Sequence, residues 1–227
     1  MIYRIIQPQE ETIIMICKFR SDKICKRDVA LLSNSISSRK NEKLCQYVDC
    51  IFGGSNYQNG GSFCVKSMMC SQFVSHCIKK IYGITIDPSD LLRGKLDILN
   101  VSKLIYIDSM MVFSAIAKGD ILLLCECGFF NGLSSNSIDP SMDVERLKNL
   151  VGYVDTGRWT LFAHVFFYLG GDERKIGGSN HASPYIYGIY KFNDIFDLNP
   201  VDCTVKYKNG LKSNSRYFLF ACSINRI

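Results

Sequence analysis

Three residues in this chain could together perform covalent chemistry: a cysteine opening a helix, and two histidines on apolar, strand-like segments. Cys70 stands at the head of Cys70-Ser71-Gln72-Phe73-Val74. The spacing of Cys70, Phe73, Val74, Cys77 and Ile81 predicts one apolar helix face over 70–82, with Ser71, Ser75, Lys79 and Lys80 on other faces. The unpaired N–H groups and dipole at a helix start stabilise a thiolate, which is the nucleophilic form of cysteine. A thiolate nucleophile also needs an imidazole to hold its proton and return it later.

The chain offers three histidines. His76 lies on the helix of Cys70, about 240° around it at 100° per residue, and so points away from the thiol as a surface side chain. His164 opens the apolar run His164-Val165-Phe166-Phe167-Tyr168-Leu169, which ends at Gly170-Gly171. His181, within Gly178-Ser179-Asn180-His181-Ala182-Ser183, falls where the next strand of a hairpin would lie. Neighbouring strands are close enough for one ring to orient another by a hydrogen bond. The set supplies a nucleophile, a base and an orienting group.

The elements that must position these residues are legible in outline. Residues 1–38 read as an N-terminal extension, with a strand over Ile13 to Phe19 and a Ser/Asn-rich link at 33–38. Leu44, Val48 and Ile51 recur at helical spacing, and Gly53-Gly54 ends that helix. After the helix of Cys70 closes at Gly83, Asp87-Pro88-Ser89-Asp90 begins a short helix. Lys118-Gly119-Asp120 turns into a strand over Ile121 to Cys125. Residues 126–158, rich in Gly, Ser and Asn, suggest an inserted surface element, a lid or cleft wall, with a short helix near Val144 to Leu150. Strand signals follow over 161–169, 185–192, 203–207 and 216–224. Helices first and an antiparallel sheet after them make an α+β plan, with the main domain over 39–227.

Composition removes several alternatives. The 227 residues, 47% of them hydrophobic, can bury a core without a metal or disulfide staple. The net charge of +6 is scattered; the densest cluster, 18–43, is interrupted by Asp22, Asp28 and Glu42. That is a solvated basic surface rather than a nucleic-acid stripe, though it gives a mild attraction to anionic surfaces. The eleven cysteines lack a Cys-x-x-Cys pair or histidines at ligand spacing, so no zinc site or other cofactor is expected. Most read as small buried hydrophobes in a reducing compartment. The N-terminal segment, broken by Arg4, Glu10 and Glu11, does not read as a secretory signal, and no run reaches transmembrane length. The expectation is cytoplasmic synthesis, with any action outside the cell requiring a non-classical export or injection route.

The order of these motifs over residues 41–227 resembles the NlpC family of cysteine peptidases, cell-wall hydrolases of papain-like fold. The helix ending at Gly53 comes first, then the Tyr57-Gln58-Asn59-Gly60-Gly61 loop and the Cys70 motif. Gly83-Ile84, Gly119-Asp120-Ile121-Leu122, His164-Val165-Phe166-Phe167-Tyr168-Leu169-Gly170 and His181-Ala182-Ser183 follow in the family's order. The resemblance implies Cys70 as nucleophile, His164 as base, His181 as orienting residue and Tyr57 as a support for the oxyanion. Asn180 is a neighbour that could take the orienting role instead. Where the family has Asp just before the cysteine and Gly two residues after it, this chain has Met69 and Gln72. That Asp often recognises a free amino group of a cell-wall peptide.

The leading expectation is therefore a thiolate–imidazolium hydrolase cleaving an amide or peptide bond, with a peptidoglycan stem peptide as first substrate. The alternatives are an intracellular or injected papain-like enzyme acting on proteins or acyl groups, and a binding protein on a catalytically retired hydrolase fold. The first two require that Cys70 begin a buried helix and that His164 lie on a central strand facing it. Both side chains must line one cleft within roughly hydrogen-bond reach. Side chains on opposite faces of the domain would end the enzyme reading.

Overall fold

Long apolar runs dictate where the chain must bury itself. The computed structural model describes residues 39–48, 69–127, 138–157, 159–179, 187–208 and 215–224. Residues 39–227 cluster as one compact unit. The extension expected over 1–38, the Tyr57 loop and His181 lie outside the described residues.

Helix α1 occupies residues 39–48 and α2 runs over Cys70–Tyr82. Two short helices follow in the chain, α3 (Pro88–Leu92) and, much later, α4 (Val144–Val151). Helix α2 stops where expected: Gly83 takes φ 70°, and its N–H donates to the Lys79 carbonyl at 3.0 Å. Lys79 and Lys80 in the last turn complement the negative end of the dipole. The buried surface of α2 is wider than one apolar stripe, because Ser71 and Ser75 are buried as well. Small side chains tolerate that burial by letting neighbouring backbone approach.

The sheet is antiparallel in every described pairing. Its strands are β1 (Leu104–Tyr106), β2 (Ile121–Glu126), β3 (Ser141–Met142), β4 (His164–Gly170), β5 (Lys175–Ser179), β6 (Tyr187–Lys191), β7 (Phe196–Asn199), β8 (Thr204–Tyr207) and β9 (Arg216–Cys222). The order is β3-β1-β9-β2-β4-β5-β6, while β8 pairs with both β9 and β7. Strand β9 thus shares one side between two partners, β8 near Tyr217 and β1 near Phe220. The one-turn helix α5 (Phe192–Ile195) links β6 to β7. The α+β plan with an antiparallel sheet is what the sequence pattern indicated.

Both faces of the central strands are buried. On one face Leu123, Val165, Phe167, Phe218 and Phe220 join Leu44 and Val48 of α1 and Phe73 and Val74 of α2. Phe73 meets Phe167 edge-on, ring centroids 6.3 Å apart. Gly177 in β5 permits α1 to come close: a Cβ there would lie 2.8 Å from the Val48 side chain. On the other face Leu122, Leu124, Phe166, Tyr168, Leu219, Phe192, Phe196, Tyr207 and Tyr217 form a second, largely aromatic core.

The expected surface insertion is instead partly built into the domain. Within 126–158, Met142 in β3 pairs with Leu104, and Ile138, Met142, Leu147 and Val151 are buried. Two-residue β3 adds an edge to the sheet, and α4 carries its own N-cap, with Asp143 accepting from the Arg146 N–H at 2.7 Å.

The turn into β2 is held by a buried carboxylate. Gly119 has φ 91° and donates its N–H to the Tyr168 carbonyl at 2.7 Å. Asp120 accepts from the Ala117 N–H at 2.9 Å and the Ser223 hydroxyl at 2.8 Å, tying the ends of β2 and β9 together. Burial raises its pKa, an effect only partly offset by those two hydrogen bonds. The folded protein therefore keeps this proton to a higher pH than the unfolded chain does. Stability contributed by Asp120 is full below the ordinary carboxylate range and is lost as pH rises through the raised folded pKa. Asp120→Asn, which cannot titrate, should accordingly be more destabilised relative to the parent at mildly acidic pH than at neutral pH. Urea denaturation midpoints of both proteins across that range check this; a pH-independent difference would contradict it.

Candidate functional site

Cys70 is the first residue of α2 and is 7% exposed. The residue before it, Met69, has extended backbone (φ −75°, ψ 158°), as an N-cap requires. A methionine cannot cap by hydrogen bonding, and Gln72 supplies a partner from the other side. Its Oε1 accepts the Met69 N–H at 2.7 Å. This is the returning half of a capping box, and it gives Gln72 a local structural role at the nucleophile motif. The first N–H groups of α2 are thus gathered around Cys70, where a helix start favours a thiolate.

His164 is the first residue of β4 and is 1% exposed. The strand was expected to begin at Leu161, but the preceding backbone is engaged elsewhere. The Phe162 N–H donates to the Leu92 carbonyl at the end of α3 (2.8 Å), satisfying a helix-terminal carbonyl. The Ala163 N–H donates to the Leu124 carbonyl at 2.7 Å, and His164 then registers opposite Leu124. His164 was expected to face the Cys70 helix, and here the structure corrects the reading: strand alternation gives the imidazole the face of Phe166 and Leu124, not the Val165–Phe167 face on which α2 packs. Its ring stands edge-on to Phe166, centroids 4.2 Å apart, and to Tyr207 at 6.4 Å.

Tyr207 stands beside His164. It is the last residue of β8, is 2% exposed, and its pKa is pushed well above the usual phenol range, first by burial and then by Tyr217 and Cys70. The same ring stands edge-on to His164. Nothing in the local sequence separates Tyr207 from the other core aromatics, and it is the site residue that spacing could not reveal.

His76 does not join this group. Its Nε2 lies 3.1 Å from the Tyr47 hydroxyl and the two rings stack at 6.2 Å, which makes it a partly buried contact between α1 and α2 rather than a bare surface residue. Burial, with Lys80 and Lys79 behind it, lowers its pKa. Tyr57, Asn180 and His181 lie outside the described residues.

No group of three or more His, Cys, Asp or Glu among the described residues is arranged to hold a metal ion. No helix among them is long and apolar enough to cross a membrane. Cys77, Cys125, Cys127, Cys203 and Cys222 are free thiols. Burial pushes Cys77 up to about 12 and raises Cys125 and Cys222 further still. Cys127 also rises to about 12, through burial first and Asp202 second. No protein-family model, curated protein or solved structure matches the chain.

These thiols give a reference for reactivity. Cys77, Cys125 and Cys222 should resist iodoacetamide at pH 7–8 (about neutral to mildly basic) in the folded protein, because thiol reactivity follows the thiolate fraction and access. All three should label once the chain is unfolded in urea. Peptide mass spectrometry of the two samples tests this, and native labelling of Cys222 at its unfolded rate would contradict the burial described.

Proposed function

We propose that the chain is a cysteine hydrolase of papain-like fold, resembling the NlpC peptidases, that cleaves an amide or peptide bond. What supports the reading is the placement of the two groups: Cys70 is the first residue of a buried helix, where a thiolate is favoured, and His164 is the first residue of a central buried strand. In this reading Cys70 is the nucleophile and His164 the general base. His181 orients His164, and Tyr57 supports the oxyanion beside a backbone N–H at the start of α2.

The chemistry follows from those roles. His164 takes the Cys70 proton, and the thiolate adds to the carbonyl carbon, moving the carbonyl electron pair onto oxygen. Donors at the helix start stabilise that oxyanion as it forms. Collapse breaks the C–N bond while the imidazolium gives its proton to the departing amine, leaving a thioester on Cys70. Water, deprotonated by His164, then attacks the thioester; the acid leaves and the thiol regains its proton.

A peptidoglycan stem peptide is the first substrate class by resemblance. One observation favours the second, a protein or acyl substrate. Beside the thiol stands Met69, 62% exposed, where a carboxylate would be needed to meet a free amino group. An exposed thioether favours apolar substrate groups.

Under this reading Cys70 labels with iodoacetamide faster than Cys203 and the buried thiols. Cys70→Ala should abolish hydrolysis of a peptide or activated amide, and His164→Ala should lower turnover by roughly 10²–10⁴-fold, the usual worth of a positioned base. His181→Ala should lower it less, with His181→Asn or His181→Gln preserving part of the activity. Steady-state rates with matched thermal melts decide: a His164→Ala protein that folds and turns over at the parental rate would end the hydrolase reading.

A further inference from the structure

Glu126 is the charged residue of β2 and stands at the strand's last position. Strand register shows what it faces. Leu124 lies opposite His164, and Glu126 lies two residues on, opposite Tyr217 of β9. Residues two apart on a strand share a face, so Glu126 stands on the face of Leu124, Phe166 and the imidazole. It is a diagonal neighbour of His164. Such neighbours lie about 7–8 Å apart, a span that long side chains cross. The other diagonal neighbour on β2 is the apolar Leu122.

The course of β4 leaves that diagonal open. A strand continued backwards from His164 would set residue 162 opposite Glu126. The Phe162 N–H goes instead to the Leu92 carbonyl, and its side chain is buried in the core that α2 covers, on the other face. Strand β4 therefore sets no side chain opposite Glu126 on the imidazole's face. Register and ring contacts put Leu122, Leu124 and Glu126 of β2, Phe166 of β4 and Tyr207 of β8 beside His164. Of these, Glu126 is the one that brings a charge, since burial keeps the Tyr207 phenol protonated. His164 is 1% exposed and Glu126 half-buried, so screening between them is weaker than in bulk water. A buried imidazole that takes up a proton needs an opposing charge.

We propose that Glu126 is a positioning residue for His164, its carboxylate facing the ring across the β2–β4 diagonal and favouring the imidazolium that forms when a proton is taken up. This rests on the hydrolase reading above for the use made of that proton; the pairing of the two groups does not. No bond is made or broken at Glu126. Its effect is that of a fixed negative charge near a base.

The test reads the imidazole directly. The full chain, with its three histidines isotope-labelled, is titrated by NMR, and His164→Gln identifies the His164 signal. Glu126→Gln keeps the shape of the side chain and removes its charge. Glu145→Gln, on α4, exposed and paired with Lys148, is the control for net charge. Thermal melts accompany each variant. In Glu126→Gln the His164 midpoint should move down by about 0.5–1 pH unit, the size expected for one charge at that separation near a surface. Glu145→Gln should follow the parent, and the His76 midpoint should stay in place throughout. Coincident His164 titrations for Glu126→Gln and the parent would overturn the assignment. Equal shifts in both variants would do the same, as would a parental His164 that stays neutral at every pH where the chain is folded. Iodoacetamide labelling of the parent separates the two claims: Cys70 reacting no faster than Cys203 would remove the hydrolase reading, while the His164 titration alone decides the pairing with Glu126.

Discussion

Strands β2, β4 and β9 are buried on both faces, and most of the architecture follows from accommodating that. Antiparallel sheets commonly leave one face to water, and their strands then alternate apolar with polar residues. Here Ile121 to Cys125, Val165 to Leu169 and Tyr217 to Cys222 are buried without a break. Each face needs its own cover. Helices α1 and α2 provide one, through Leu44, Val48, Phe73 and Val74. The other is closed by the chain itself, as β7, β8 and α5 bring Phe192, Phe196 and Tyr207 over Phe166 and Leu219. Each fully buried large side chain contributes about 1.5–3 kcal/mol relative to exposure, so neither cover is dispensable.

Double burial also restricts where polar groups can be. Among the described residues the buried polar or charged side chains are Ser71, Ser75, Asp120, His164 and Thr204. The two that titrate sit at opposite ends of the β2–β4 pair. Asp120 directly precedes β2, whereas His164 lies opposite Leu124, four residues on. At about 3.3 Å per strand residue that separates them by roughly 13 Å. Asp120 is therefore no partner for the imidazole. It serves the turn, where Ala117 and Ser223 satisfy it.

How far the sequence could be read depends on the kind of force at work in each part. Helix α2 was legible to the residue, because its stripe, its Gly83 stop and its basic last turn are local signals. The long strands were legible as apolar runs with no polar residue inside them. What escaped was set by distant partners. The start of β4 moved from Leu161 to His164 because the Phe162 N–H is taken by Leu92, a residue far back in the chain. Strand β3 is two residues long and exists only through its pairing with β1, so the segment around it looked like a surface insertion. Ser71 and Ser75 looked like exposed polar residues because a one-stripe helix was assumed; α2 is enclosed more widely. Cys70 and His164 could be picked out by residue type, since few cysteines begin a helix and the chain has three histidines. Tyr207, one aromatic among many, could not.

The three residues of the candidate site share a property that residue type does not express: each ends an element. Cys70 is the first residue of α2, His164 the first of β4 and Tyr207 the last of β8. A helix on one face of a sheet can offer a group to a side chain on the other face only beyond the strand's end, where no backbone intervenes. Strand alternation puts His164 on the face away from α2, so a group on α2 and the imidazole can share a space only around such terminal positions. The equivalent residues further in, Phe73 along α2 and Phe166 along β4, are sealed in separate cores on either side of the sheet. Chemistry at those positions would have neither a partner across the sheet nor a path for substrate. An apolar sheet covered on both faces thus leaves its ends as the places where ionisable side chains can be held, as Asp120 and His164 are at the two ends of the β2–β4 pair.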